Sequence, residues 1–134
     1  MSEQRDGGCQ CGKVRYRLES APVSLAVCHC TECQRQSGSA FGMSLFVPEK
    51  SFRLLAGELT SFKVTADSGR VKTCSFCADC GTRIHHQVVD AALSVKAGTL
   101  DDTSGLQPTA HYWTKRKQPW VIIPEGAICV ADDG

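Results

Sequence analysis

The chain has 134 residues, with 15 basic against 14 acidic side chains and nine cysteines. That length predicts one domain over residues 1–134, large enough for an apolar core yet small enough for a metal cross-link to matter. A net charge of +1 lacks the electrostatic footprint of a nucleic-acid binder, and no apolar run approaches the ~18 residues that a membrane helix needs, so none is expected. An odd cysteine count, bunching as C-x-C and C-x-x-C, and a polar Met1 to Gly8 without an apolar signal segment argue against a secreted disulfide scaffold. The expectation is a soluble, cytoplasmic protein with reduced thiols.

In chain order, Gly7-Gly8-Cys9-Gln10-Cys11-Gly12 reads as a flexible turn carrying two thiols. Strict alternation of apolar and charged residues in Lys13-Val14-Arg15-Tyr16-Arg17-Leu18-Glu19 predicts a strand with one buried face. If its extended geometry reaches back to Cys9, the period of two places Cys9 and Cys11 on one face. Leu25-Ala26-Val27 predicts a short strand into Cys28. Thr31 with Gln34 suggests a capped helical turn through Gln36, closed by Gly38. Ala40 to Val47 reads as a strand ended by Pro48, and Ser51 to Ala56 with Leu59 to Thr65 as a hairpin about Gly57-Glu58. Asp67-Ser68-Gly69 signals a turn before a strand from Arg70 to Phe76. Strands are further predicted over Thr82 to Gln87, Leu93 to Gly98, His111 to Trp113 and Trp120 to Ile123, with Asp101 to Pro108 a loop. The fold class is mainly β, of short antiparallel strands with at most one or two short helices.

The cysteines carry the chemistry. Cys77-x-x-Cys80-Gly81 is a zinc-knuckle pattern, in which the glycine accepts the left-handed conformation that the turn requires. A closed site needs four ligands, and Cys9-x-Cys11 is the natural second pair, closing a long loop. Cys28, Cys30 and Cys33 are then a second group. Three protein ligands with an exchangeable fourth is the composition of a catalytic zinc site, whereas structural sites are closed. The alternative is that Cys74, three residues before Cys77, completes a second four-cysteine site. Cys129, in the apolar run Ala127 to Val130, reads as a small packed residue. Three thiolates about Zn²⁺ leave a net charge of −1, suited to binding and deprotonating a thiol.

Gly8-Cys9-x-Cys11-Gly12, Cys28-His29-Cys30-Thr31-Glu32-Cys33-Gln34, Phe76-Cys77-x-x-Cys80-Gly81-Thr82 and Pro119-Trp120-Val121 occur in this order. From Gly8 to Gly126 the chain resembles the glutathione-dependent formaldehyde-activating enzymes, the CENP-V/GFA domain. The resemblance implies a zinc-containing β-tent fold with two zinc ions. Cys9, Cys11, Cys77 and Cys80 match the family's structural site, and Cys28, Cys30 and Cys33 its catalytic one. Implied too is a carbon–sulfur lyase acting on a thiol–aldehyde adduct, with glutathione and formaldehyde as the type partners. Cys74 departs from the family's pattern.

Other residues are read from their neighbours. His29, between two ligands on an extended turn, is expected to point away from them and be exposed. His85, His86 and His111 read as packed or surface histidines, since sulfur is available for a metal. Arg35 and Lys115-Arg116-Lys117 offer forks or charges for a carboxylate, with a solvated surface as the plainer reading, preferred for the lysines. Phe41, Trp113 and Trp120 are expected in the core, with a role for one of them in a cleft wall left open. Two functions remain: a carbon–sulfur lyase, and a non-catalytic binding domain stabilised by two structural zinc sites.

Overall fold

The computed structural model describes residues 4–66 and 69–132. Alternation in β2 (Arg15–Leu18) turns Tyr16 and Leu18 fully inward. β2 lies between β1 (Arg5–Gly8) and β5 (Phe52–Ala56), both antiparallel to it, in a three-stranded sheet. The other strands form one eight-stranded sheet in the order β11-β10-β3-β4-β9-β8-β7-β6. These are β3 (Ser24–Cys28), β4 (Gly42–Pro48), β6 (Leu59–Thr65), β7 (Val71–Cys77), β8 (Arg83–Gln87), β9 (Ala92–Lys96), β10 (Ala110–Tyr112) and β11 (Ile128–Val130). Neighbours pair antiparallel except β10, which runs parallel to both β3 and β11. The chain is therefore mainly β, as the alternating patterns predicted, and α1 (Thr31–Ser37) is the one α-helix among the described residues. No described helix is long and apolar enough to cross a membrane.

The core joins Val14, Tyr16 and Leu18 to Leu45, Val47, Ile84, Leu93 and Val95 of the large sheet. Tyr16 stacks on Phe52 and its hydroxyl lies 2.6 Å from Thr99 Oγ1, so burying this side chain leaves no polar atom unpaired. A Cβ on Gly7 would fall 2.4 Å from that hydroxyl, so only glycine lets β1 pass there. The opposite face of the large sheet mixes apolar and polar side chains. In β4 Leu45 and Val47 face the core, so Ser44 and Phe46 face away. Register then aligns Phe46, Ser94, His86 and Cys74 in one row, and Ala26, Ser44 and Lys96 in the next.

Several expectations are corrected. β5 and β6 are not a hairpin: β5 joins β2 and β6 joins β7, because Gly57, at φ +80°, sends the chain from one sheet to the other. Trp120 to Ile123 is not a strand, and Trp120 and Ile122 are 69% and 89% exposed. The edge strand is instead β11, in the run read only as packed, and Cys129 on it is exposed. β1 was not predicted, since glycines at Gly7 and Gly8 hide its pattern. Of the expected turn at Asp67-Ser68-Gly69, Asp67 and Ser68 lie outside the described residues. Gly69 donates from its backbone to Ala66 O.

Candidate functional site

The first sulfur cluster is held by two turns. Gly12, at φ +85°, donates to Cys9 O and doubles the chain back, so a turn rather than strand alternation brings Cys9 and Cys11 together. Gly81, at φ +82°, donates to Cys77 O, and Cys77 N donates to Thr82 O, which forms the knuckle. The four sulfurs of Cys9, Cys11, Cys77 and Cys80 lie within 4.8 Å of one another. Cys9 and Cys11 are 3.5 Å apart, and Cys11 and Cys77 3.8 Å. Tetrahedral Zn–S bonds of about 2.3 Å require sulfurs about 3.8 Å apart, so this donor set fits zinc. Thr82, which drew no notice in the sequence beyond its place in the motif, supports the cluster. Its hydroxyl lies 3.2 Å from Cys80 Sγ and accepts from Gln10 N. That contact, followed by backbone N–H donors, lowers the Cys80 thiol to about 5.

The second cluster lies at the face of the large sheet that points away from the core. β3 delivers Cys28, Cys30 is the N-cap of α1, and Cys33 lies in the first helical turn, buried. Cys33 N donates to Cys30 Sγ at 3.3 Å, so the thiol does the capping that a hydroxyl normally does and Thr31 is not the cap. The three sulfurs lie within 4.8 Å of one another, a donor set that also fits a soft cation. The Cys28 and Cys33 thiols hold Cys30 far below an ordinary thiol, and Cys28 rises in turn, so the first negative charge settles on Cys30. Cys74 belongs to neither cluster. It is buried in β7 opposite His86.

A cleft of about 410 Å³ opens over the triad, lined by Cys28, Cys30 and Cys33 together with Arg70, Lys72, His86, Trp113 and Arg116. Lys72 pairs with Glu32 at 3.0 Å; burial opposes its charge most strongly, but the hydrogen bond and the charge of Glu32, with the neighbouring Cys33 and Cys74, together hold it above an ordinary lysine. Burial, then the charges of Lys96, Lys72 and Arg83, lowers His86 to about 3 and keeps it neutral. A second depression, of about 470 Å³, lies beside Gln36, Arg83 and Lys96 and reaches only Cys80 among the cluster cysteines.

The singly read residues divide. His29 is fully buried, not exposed: its Nε2 lies 2.9 Å from His111 Nδ1, and its ring packs on Phe41. The turn is tight enough to put the side chain inward rather than out. His111 is packed as expected, and His85 packs edge-on to Phe52. Arg35 is exposed and does not line the cleft, whereas Arg116 does. Lys115 lies over the Trp113 ring and pairs with Asp132, and Lys117 donates to Val121 O. Phe41 and Trp113 are half-buried, Trp113 in the cleft wall, while Trp120 is on the surface.

The family model of the glutathione-dependent formaldehyde-activating enzyme matches residues 4–116. The chain belongs to this family. The match takes in both cysteine clusters and most of the cleft wall. No curated protein matches the sequence. Among solved structures, a Rhodobacter sphaeroides protein is similar at 22% identity and a TM-score of 0.58, covering 77% of this chain and 91% of its own. That likeness concerns the fold. Membership of the family supports a glutathione-dependent, formaldehyde-activating function at the family level.

Proposed function

We propose that the protein is a zinc-dependent carbon–sulfur lyase of the formaldehyde-activating type, holding two zinc ions. Cys9, Cys11, Cys77 and Cys80 hold the structural ion, and Cys28, Cys30 and Cys33 the catalytic one. The observation that carries this is a difference between the clusters: one has four sulfurs and is closed, the other has three and lines a cationic cleft. All nine cysteines are free, which fits a reducing cytoplasm.

Zinc held by the triad would supply Lewis-acid binding for a thiolate or a carbonyl oxygen at its open position. The remaining work belongs to side chains. Arg70, Lys72 and Arg116 line the cleft and set a positive field for the two carboxylates of glutathione. Phe46, Val88 and Trp113 give it an apolar wall that restricts water beside the reacting atoms. Neutral His86 lines the cleft without adding charge to it, and as the S–C bond forms the thiol proton passes to the aldehyde oxygen. One S–H and one C=O become one S–C and one O–H, giving the hydroxymethyl thioether, and the reverse sequence cleaves it.

The test is to titrate the zinc-loaded protein with a panel of thiols and aldehydes while recording metal-edge spectra. Entry of a thiol sulfur into one of two metal shells, with adduct formed in the same sample, supports the proposal. A panel in which no thiol reaches either metal counts against it.

A further inference from the structure

One side chain connects the sulfur triad to the cleft wall. Gln34, on α1, donates from Nε2 to His29 O at 2.9 Å and to Arg116 O at 3.0 Å. Its Oε1 accepts from Gln118 Nε2 at 3.1 Å, and Gln118 Oε1 accepts from Trp120 Nε1. The Gln34 amide thus has both donors and its acceptor engaged, which fixes its orientation. His29 stands between two triad cysteines, and Arg116 ends a 3₁₀ turn, Thr114–Arg116, that hangs over the cleft.

That segment needs a tie on this side. Trp113 holds a left-handed backbone at φ +58°, a conformation that an aromatic residue keeps only where its surroundings impose it. On its outer side the segment is fastened to the end of the sheet, through Lys115 N to Ala131 O and Thr114 Oγ1 to Val130 O. Facing the triad, the fastening of residues 114–118 is Gln34, one helical turn from Cys30. The indole of Trp113 and the charge of Arg116 line the cleft, so their distance from the triad sulfurs depends on this amide.

We propose that Gln34 is a positioning residue that fixes the Trp113–Arg116 wall over the triad, and that this wall selects thiols carrying a carboxylate over small neutral ones. The inference rests on the lyase reading for its substrate class. The latch itself rests on the hydrogen bonds. Losing it lets the wall drift, which weakens the charge-assisted contact of Arg116 with a distant carboxylate more than it disturbs the reacting sulfur.

The experiment compares the zinc-loaded wild type with Gln34→Leu, Gln34→Glu and Arg116→Ala, assayed with formaldehyde and either glutathione or 2-mercaptoethanol. Gln34→Glu keeps the acceptor for Gln118 but loses both donors. The expected result is a roughly tenfold loss of the preference for glutathione in all three variants, carried by KM, with two zinc ions retained. An equal loss with both thiols, or loss of zinc from Gln34→Leu, overturns the proposal, because Gln34 would then serve the triad itself. If the wild type turns over neither thiol, the lyase reading fails and fluorescence decides the latch. With Trp120→Phe as background, Trp113 is the sole tryptophan, and Gln34→Leu should redden its emission and raise its quenching by acrylamide. Unchanged emission and quenching overturn the latch.

Discussion

Gly42 leaves little room for a side chain. A Cβ there would lie 3.0 Å from Gln36 Nε2, 3.3 Å from Cys33 Cβ and 3.5 Å from Cys33 Sγ. β4 and α1 approach closely at this point, and the buried Cys33 is what they enclose. Gly42→Ala should cost about 1–2 kcal/mol of stability and loosen metal held by the triad, leaving the four-sulfur cluster intact. Chelator competition on zinc-loaded variant and wild type reads this as one ion released earlier. None of it was legible in the sequence, where Gly42 follows Phe41 inside a run read as plain strand. The grouping of the cysteines into two clusters was legible, because C-x-x-C-Gly and three thiols in six residues have few uses besides a metal. His29 was not: the alternation rule assumed extended chain, whereas a helix begins two residues later and His111, distant in sequence, supplies its partner.

At the scale of elements, α1 is seven residues long, too short to stand alone, and its N-cap is a metal-ligand candidate. The cap and the metal can be separated by substitution. Cys30→Ser keeps an acceptor for Cys33 N, and Cys30→Ala does not. With zinc in the four-sulfur cluster and none in the triad, Cys30→Ala should be less stable than Cys30→Ser by about 0.5–1 kcal/mol, seen as a lower urea midpoint at equal slope. Equal midpoints would mean that the thiol cap contributes nothing. Elements with strong local signals were read correctly: the alternation about Tyr16, the stop at Pro48 and the loop from Asp101 to Pro108. Which strand pairs with which was not in the local pattern. Gly57-Glu58 has the composition of a hairpin turn, yet β2 and β7 compete for the flanking strands and each takes one. β11 escaped notice because three residues pairing in parallel at a sheet edge leave no alternation to find.

Across the whole molecule, all four histidines are buried or half-buried, and burial lowers each below the ordinary 6.5, His86 to about 3. A base whose folded value is lowered gains its proton on unfolding. The stability it contributes is complete above pH 6.5 and falls away as the pH drops toward the folded value. Between pH 6.5 and 4.5 the wild type should lose stability more steeply than His86→Gln, by up to about 1.4 kcal/mol per pH unit. Urea unfolding at several pH values gives both slopes, and the difference between them removes the contribution of the cysteines, which are common to both. The two clusters lie on opposite faces of one sheet, with Cys9 and Cys77 inside the apolar core and the triad lining a cleft. Their loss should therefore have different effects. The most direct test is Cys80→Ser beside Cys30→Ser, with circular dichroism, thermal melting and zinc content measured on both. Cys80→Ser should lose a cross-link between distant parts of the chain, worth a large share of the ~5–15 kcal/mol that holds such a domain, and be unfolded or aggregated. Cys30→Ser should keep its strands and one zinc while failing to bind a thiol. If Cys30→Ser melts as badly as Cys80→Ser, the second metal is structural as well and the lyase account is contradicted.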